Sequence, residues 1–381
     1  MQTAVQPDNV RKQAVGGVRP FAEADLSAVA ELYTKVFPQG RQYSQARLQA
    51  RFKKVLLDNP WYDPAIPSLV YEQEGKIIGF LGIVVRPMML RNEPIRVAVS
   101  NHFMVDPDSR STKAGLSLLS KLFSGPQDLA VAEAGDSSRK IWEALGGRTS
   151  LGYSMYWTRL LRPARYGLYQ LERKSFPRIL NWISRPFCGI ADALAARFKP
   201  SPLYQAVQSG EEELSEKDWI DYMARFTKPV ALRPCYDETS LHWLLGVLGE
   251  KKTLGALRKV VVKGDRNEVI GWYNYYLNAG GVSTVLQLNA SQGRFDKVLE
   301  HLCYHAWRRG SIALTGRLQP RFTKEYSANH CLLHWRSWML VHSRDPKVLE
   351  AVDHQDAFFT PLEGESWISV EGELPDSPTP Q

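Results

Sequence analysis

The sequence predicts an α/β protein made of two tandem domains, each a mixed, mostly antiparallel sheet flanked by helices. Three observations predict it. Strand and helix signals alternate from residue 15 to 163. The same order returns from 211 to 370, with Glu268-Val269-Ile270-Gly271-Trp272 answering Lys76-Ile77-Ile78-Gly79-Phe80. Between them, residues 164–210 are rich in proline and basic side chains and break both patterns.

Gly16 to Phe21 reads as a short first strand. Leu26, Val29, Leu32, Tyr33 and Val36 recur at three-to-four spacing, which predicts a helix over 26–36. A second helical stretch covers 44–57. Pro67 to Val85 gives two strands around the Glu74-Gly75-Lys76 turn, and 95–105 is another strand. Helices follow over 114–123 and 137–145, with a strand over 129–134 between them. A last strand over 152–160 is expected to close the first sheet. In the second half, helices are predicted over 215–225, 239–248 and 294–308. Strands are predicted over 259–263, 269–277, 282–288, 311–314 and 335–341, with a short helix over 320–327.

Composition narrows the class. With 381 residues, 44% hydrophobic and 23% charged, the chain is neither fibrous nor disordered as a whole. Its net charge of +8 is unevenly spread. Residues 1–163 carry 21 basic and 15 acidic groups, 164–210 carry 7 and 2, and 211–381 carry 20 and 23. That distribution speaks against a uniformly basic nucleic-acid binder and for an anionic ligand on the first half. Lys174, Arg178 and Arg185 beside Phe176, Trp182 and Phe187 fit either a packed linker or a peripheral contact with an anionic membrane. Cys188, Cys235, Cys303 and Cys331 form no CxxC pair, and the first residues lack the apolar core of a secretory signal. A cytoplasmic protein, possibly touching the inner membrane face, is the expectation. His301, Cys303 and His305 cannot all face one way on a helix, so no metal is expected.

The most informative stretch runs from Phe103 through Asp106, Pro107 and Arg110 to Gly115. A strand ends at Val105, a turn follows, and a helix begins near Ala114. Amide groups at a helix N-terminus, with Arg110 and Lys113 nearby, suit a diphosphate.

Residues 17–162 resemble the GNAT (GCN5-related) acyl-CoA N-acyltransferase superfamily. The resemblance rests on Val18-Arg19-Pro20 with Asp25, the Gly75-Lys76-Ile77-Ile78-Gly79 hairpin, Val105 to Arg110, and Ile141 to Gly147. The family loop reads Arg/Gln-x-x-Gly-x-Gly/Ala; here Arg110-Ser111-Thr112-Lys113-Ala114-Gly115 keeps the ends and has Lys113 in the middle. The resemblance implies an acyl-CoA co-substrate, acetyl or longer, held by Phe103, Met104, Val105, Arg110, Ser111, Thr112, Lys113, Ala114 and Gly115. It implies a small-molecule or glycan amine as acceptor, such as an amino sugar or amino acid, with bacterial exopolysaccharide or envelope synthesis as the expected setting. Where the family often has a proton-donating Tyr, this chain has Trp142, whose indole is no acid. Tyr153 and Tyr156 are the candidate replacements, and His102 and Glu133 are the candidate bases. The second half is similar only in outline, and its Asn289 to Phe295 loop lacks the phosphate pattern. Tandem arrangements of this kind resemble N-myristoyltransferases and FemABX-type aminoacyl-tRNA-dependent transferases. A non-catalytic GNAT-like binding protein is the remaining alternative.

Overall fold

The computed structural model describes residues 16–109, 113–173 and 211–376. The first half begins with β1 (Gly17–Pro20), α1 (Leu26–Val36) and α2 (Gln45–Phe52), which runs on into a π-helical turn over Lys53–Leu57. β2 (Leu69–Gln73), β3 (Lys76–Leu90) and β4 (Glu93–Val105) follow as an antiparallel meander. Then come α3 (Ala114–Phe123), β5 (Leu129–Ala134), α4 (Asp136–Ala144), β6 (Arg148–Ser150), β7 (Met155–Leu160) and α5 (Pro163–Arg173). The rest of the expected linker, 174–210, with its suggested membrane contact, lies outside the described residues.

The second half repeats the plan. β8 (Glu211–Glu213), α6 (Glu216–Thr227), β9 (Leu232–Pro234) and α7 (Glu238–Gly249) lead into β10 (Ala256–Lys263), β11 (Val269–Leu277) and β12 (Val282–Ala290). α8 (Phe295–Arg308), β13 (Ala313–Arg317), α9 (Thr323–Ala328), β14 (Leu332–Trp335), β15 (Trp338–His342) and α10 (Pro346–Asp353) complete it.

Two mixed sheets result, as expected, but they are not closed by the strands the sequence suggests. The first has the order β1-β2-β3-β4-β5-β15-β6, with β9 also paired to β3. The second has the order β14-β7-β13-β12-β11-β10-β8. The two halves have therefore exchanged their last strands. β15 is antiparallel to both β5 and β6, and β7 is antiparallel to both β13 and β14. Met155–Leu160, the expected last strand of the first sheet, lies in the second. Both exchanged strands bury three consecutive residues between half-buried ends.

The cores follow from this. One cluster joins the halves: Val29, Leu32 and Phe52 from α1 and α2 share it with Trp219, Leu241 and Leu244 from α6 and α7. Smaller clusters lie under α3 and α4 on one side and under α8 on the other. Burial of apolar area at about 25 cal/mol per Å² makes the shared cluster a strong tie between the halves.

Candidate functional site

In the first sheet, β4 and β5 run parallel from Val97↔Leu129 to Ser100↔Ala132 and then part. Two local features open the gap. β4 bulges at His102 and Phe103, where both face Leu81 of β3, and His102 takes a positive φ of 46°. β5 runs on past Ala132 paired only with the exchanged strand on its other edge, with Glu133 opposite Met339 and Ala134 opposite Trp338. The Asp106 amide donates to Ile78 O at 2.8 Å. Alternation along an antiparallel pair then directs the Met104 amide to β3 and the Val105 amide toward the gap. Gly115, in the first turn of α3, lets the helix sit close to β4: a Cβ there would lie 3.1 Å from Phe103 Cζ.

A cavity of about 580 Å³ occupies the parting and extends between the two halves. Its wall includes Ser100, His102 and Phe103 of β4, Glu133 of β5 and Tyr156 of β7. Thr284 and Leu286 of β12, Lys251, and Glu365 and Trp367 of the C-terminal segment close it. The matching gap in the second sheet is filled by the chain itself. Glu363 accepts from Tyr236 Oη at 2.7 Å and from Gln287 Nε2 at 2.9 Å, and Gln319 reaches the carbonyl of Leu288.

At the centre, Glu133 forms an ion pair with Arg317, whose side chain is 1% exposed. Tyr156 Oη donates to Glu133 Oε2 at 3.0 Å and accepts from Arg317 Nη2 at 3.2 Å. Burial pushes the Glu133 carboxyl up, but the Arg317 charge and the Tyr156 hydrogen bond outweigh it and hold the group below its ordinary value. Burial raises the Tyr156 hydroxyl. His102 packs edge-on against Tyr33 and Phe52, and its Nδ1 lies 2.7 Å from Asn101 Oδ1. An amide oxygen there fixes the proton on Nδ1 and leaves Nε2 as the acceptor. Burial, with Arg51 and Lys251 nearby, lowers His102 to about 3 and keeps it neutral.

Several solved structures share this architecture. A GCN5-related N-acetyltransferase of Anabaena variabilis matches with a TM-score of 0.59 at 12% identity, over 88% of this chain and 75% of that one. A probable N-acyltransferase of Enterococcus faecalis gives 0.55 at 10%, over 86% and 73%. The Saccharomyces cerevisiae N-myristoyltransferase, solved with bound myristoyl-CoA, gives 0.51 at 12%, over 89% and 81%. The fold is that of the GCN5-related N-acetyltransferases. No sequence-family profile and no curated protein matches the sequence.

On this GNAT fold, the residues singled out from sequence divide. His102, Glu133 and Tyr156 meet in the one cavity. Tyr153 does not: its hydroxyl donates to Ala357 O at 2.7 Å and accepts from Ala357 N at 2.9 Å, away from the cavity wall. Trp142 lines the cavity but is 2% exposed, and its indole N–H donates to Val341 O of the exchanged strand at 3.2 Å. It serves as packing. Phe103 faces the cavity, Met104 is sunk in the shared core, and Val105 packs toward α3. Lys113 is the exposed N-cap of α3, and Ala114 is buried under the helix. Arg110, Ser111 and Thr112 lie outside the described residues.

Sequence reasoning missed Arg317, Lys251, Glu365 and Arg51. Arg51, 4% exposed, donates from Nε to Ile368 O at 3.0 Å and pairs with Glu250. Lys251 Nζ donates to Ser369 O at 2.7 Å and Glu371 O at 2.6 Å. These two cations fasten the C-terminal segment over the cavity. His301 and His305 contact the hydroxyls of Tyr273 and Tyr275, and among the described residues no cluster of metal ligands occurs. No described helix is long and apolar enough to cross a membrane.

Proposed function

We propose that the protein is an acyl-CoA-dependent N-acyltransferase whose donor binds in the first half. The observation that carries this is the parting of β4 and β5 after Ser100 and Ala132, with a cavity at the parting. An amide turned into that gap at Val105 suits the amide groups of a pantetheine arm. The neighbouring bulge leaves room for the thioester, and the close approach at Gly115 suits a diphosphate at the start of α3. The second half has its equivalent gap filled by Glu363, Gln287 and Gln319, so the reading is one donor site per chain.

Acyl transfer joins an amine nitrogen to the thioester carbonyl carbon and releases the thiol. The amine must be neutral when it attacks. Glu133, anchored by Arg317 and Tyr156, is the anion that receives and orients it. Neutral His102, with Nε2 free to accept, positions the amine or a water beside it. A cavity of this size suits a small acceptor, such as the amine of an amino sugar or amino acid, reached from the side of the second half.

The test is calorimetric titration with acetyl-CoA and longer acyl-CoAs, with R110A as the control. Saturable binding that R110A weakens is expected. Absence of binding to every acyl-CoA would sink the reading and favour a non-catalytic GNAT-fold binding protein.

A further inference from the structure

The catalytic groups considered so far include none that carries a proton to give at neutral pH. Tyr153 is bound to backbone, Trp142 is packing, and Tyr156 already donates to Glu133. The leaving sulfur needs such a donor.

The C-terminal segment supplies a candidate. Glu365 lies on the cavity wall, next to Gly364, which presses against Glu133: a Cβ at Gly364 would lie 2.5 Å from Glu133 Oε1. Glu133 Oε1 is itself buried without a hydrogen-bond partner. The Glu365 carboxyl makes no hydrogen bond or ion pair to a described residue, so no such contact ties it to a structural role. Glu365 and Glu133, whose Oε2 is held by Arg317 and Tyr156, therefore line one cavity. The segment carrying Glu365 is clamped by Arg51 and Lys251, so its position is fixed.

We propose that Glu365 is the acid–base group of the acyl transfer, giving its proton to the leaving sulfur. This rests on the acyltransferase reading above. The acceptor nitrogen forms a bond to the carbonyl carbon, and the C–S bond breaks with its electron pair going to sulfur. The Glu365 proton goes to that sulfur, and the proton shed by nitrogen returns to the carboxyl pair. The pair ends with the one proton it began with. The groups facing Glu365 are Glu133 of β5, Arg317 of β13 and Glu371 of its own segment. Burial and the Glu133 charge raise the Glu365 carboxyl well above its ordinary value, against the pull of Arg317. Glu133, paired with Arg317, stays ionised. Two carboxyls pushed apart in this way are suited to opposite roles.

The experiment compares wild type with E365Q and E365D, with hydroxylamine as the acceptor probe and acetyl-CoA as donor. Acyl-CoA binding and the thermal midpoint of E365Q should match wild type, because Gln copies the neutral acid in shape. Single-turnover CoA release should fall roughly 10²-fold in E365Q, with E365D recovering part of it. The infrared difference between wild type and E365Q at neutral pH should show a protonated carboxyl band. Undiminished CoA release in E365Q, or no such band, overturns the assignment of Glu365 while the donor site stands. Acyl-CoA binding without transfer to hydroxylamine in wild type has the same consequence. Loss of acyl-CoA binding in wild type itself removes the acyltransferase reading, and the proposal with it.

Discussion

Replacing Tyr153 by Phe separates packing from chemistry. The Tyr153 hydroxyl is the partner of both backbone groups of Ala357, at 2.7 and 2.9 Å. The neighbouring groups, Asp356 O and Phe358 N, are used by Leu232, so the Ala357 amide and carbonyl point the other way and depend on that hydroxyl. Tyr153 is 1% exposed and Ala357 is 3% exposed, so water does not replace it. Each buried group left unsatisfied costs about 1–3 kcal/mol, so Y153F should lose about 2–4 kcal/mol, allowing for local relaxation. Urea unfolding followed by tryptophan fluorescence measures this, with the slope expected to stay near wild type. Acyl-CoA affinity should not change. A loss under about 0.5 kcal/mol, the level of an ordinary surface substitution, would refute the reasoning.

R317M leaves Glu133 buried without its counter-charge and should cost about 3–5 kcal/mol, and the double variant R317M/E133L should recover most of it; a thermodynamic cycle from urea unfolding measures the coupling. Lys251, lowered by burial from 10.5 to about 7, binds fewer protons in the native protein than in the unfolded chain between those values. Stability should therefore rise as pH climbs through that window, with the penalty complete below pH 7, and K251M should flatten the rise in unfolding titrations. Residues 15–163 expressed alone lack β15 and carry β7 without its partners β13 and β14, so they should aggregate, whereas co-expression with 211–376 should yield a soluble pair by size-exclusion chromatography.

Local pattern made most of the elements legible. Helical spacing marked α1, and the paired hairpins showed that the plan repeats. The strand exchange was not legible, because alternation specifies that 155–160 is a strand but not which sheet receives it. That choice is made by the neighbours, β13 and β14, far along the chain. The site was half legible for the same reason. His102 and Glu133 follow from the gap at the ends of β4 and β5, which adjoin in one half. Arg317 reaches Glu133, and Glu365 reaches the cavity, only through tertiary packing. The structure shows what Arg317 corresponds to: Ala132 pairs with Ser100 as Gly316 pairs with Val285, so the residue after each is equivalent. Aligning the two halves by that register puts Arg317 where Glu133 stands.

That equivalence has a historical reading. Two halves that trade their last strands have the geometry of a twofold symmetric pair of identical subunits joined end to end. Near such an axis a residue meets its own copy. Glu133 and Arg317 occupy the same position in the two halves and touch each other, yet identical subunits would bring like charges together there. The ion pair behind the cavity wall thus requires two halves that differ at this position. A single chain lets one of these positions be acidic and the other basic, so the pocket at the seam is asymmetric.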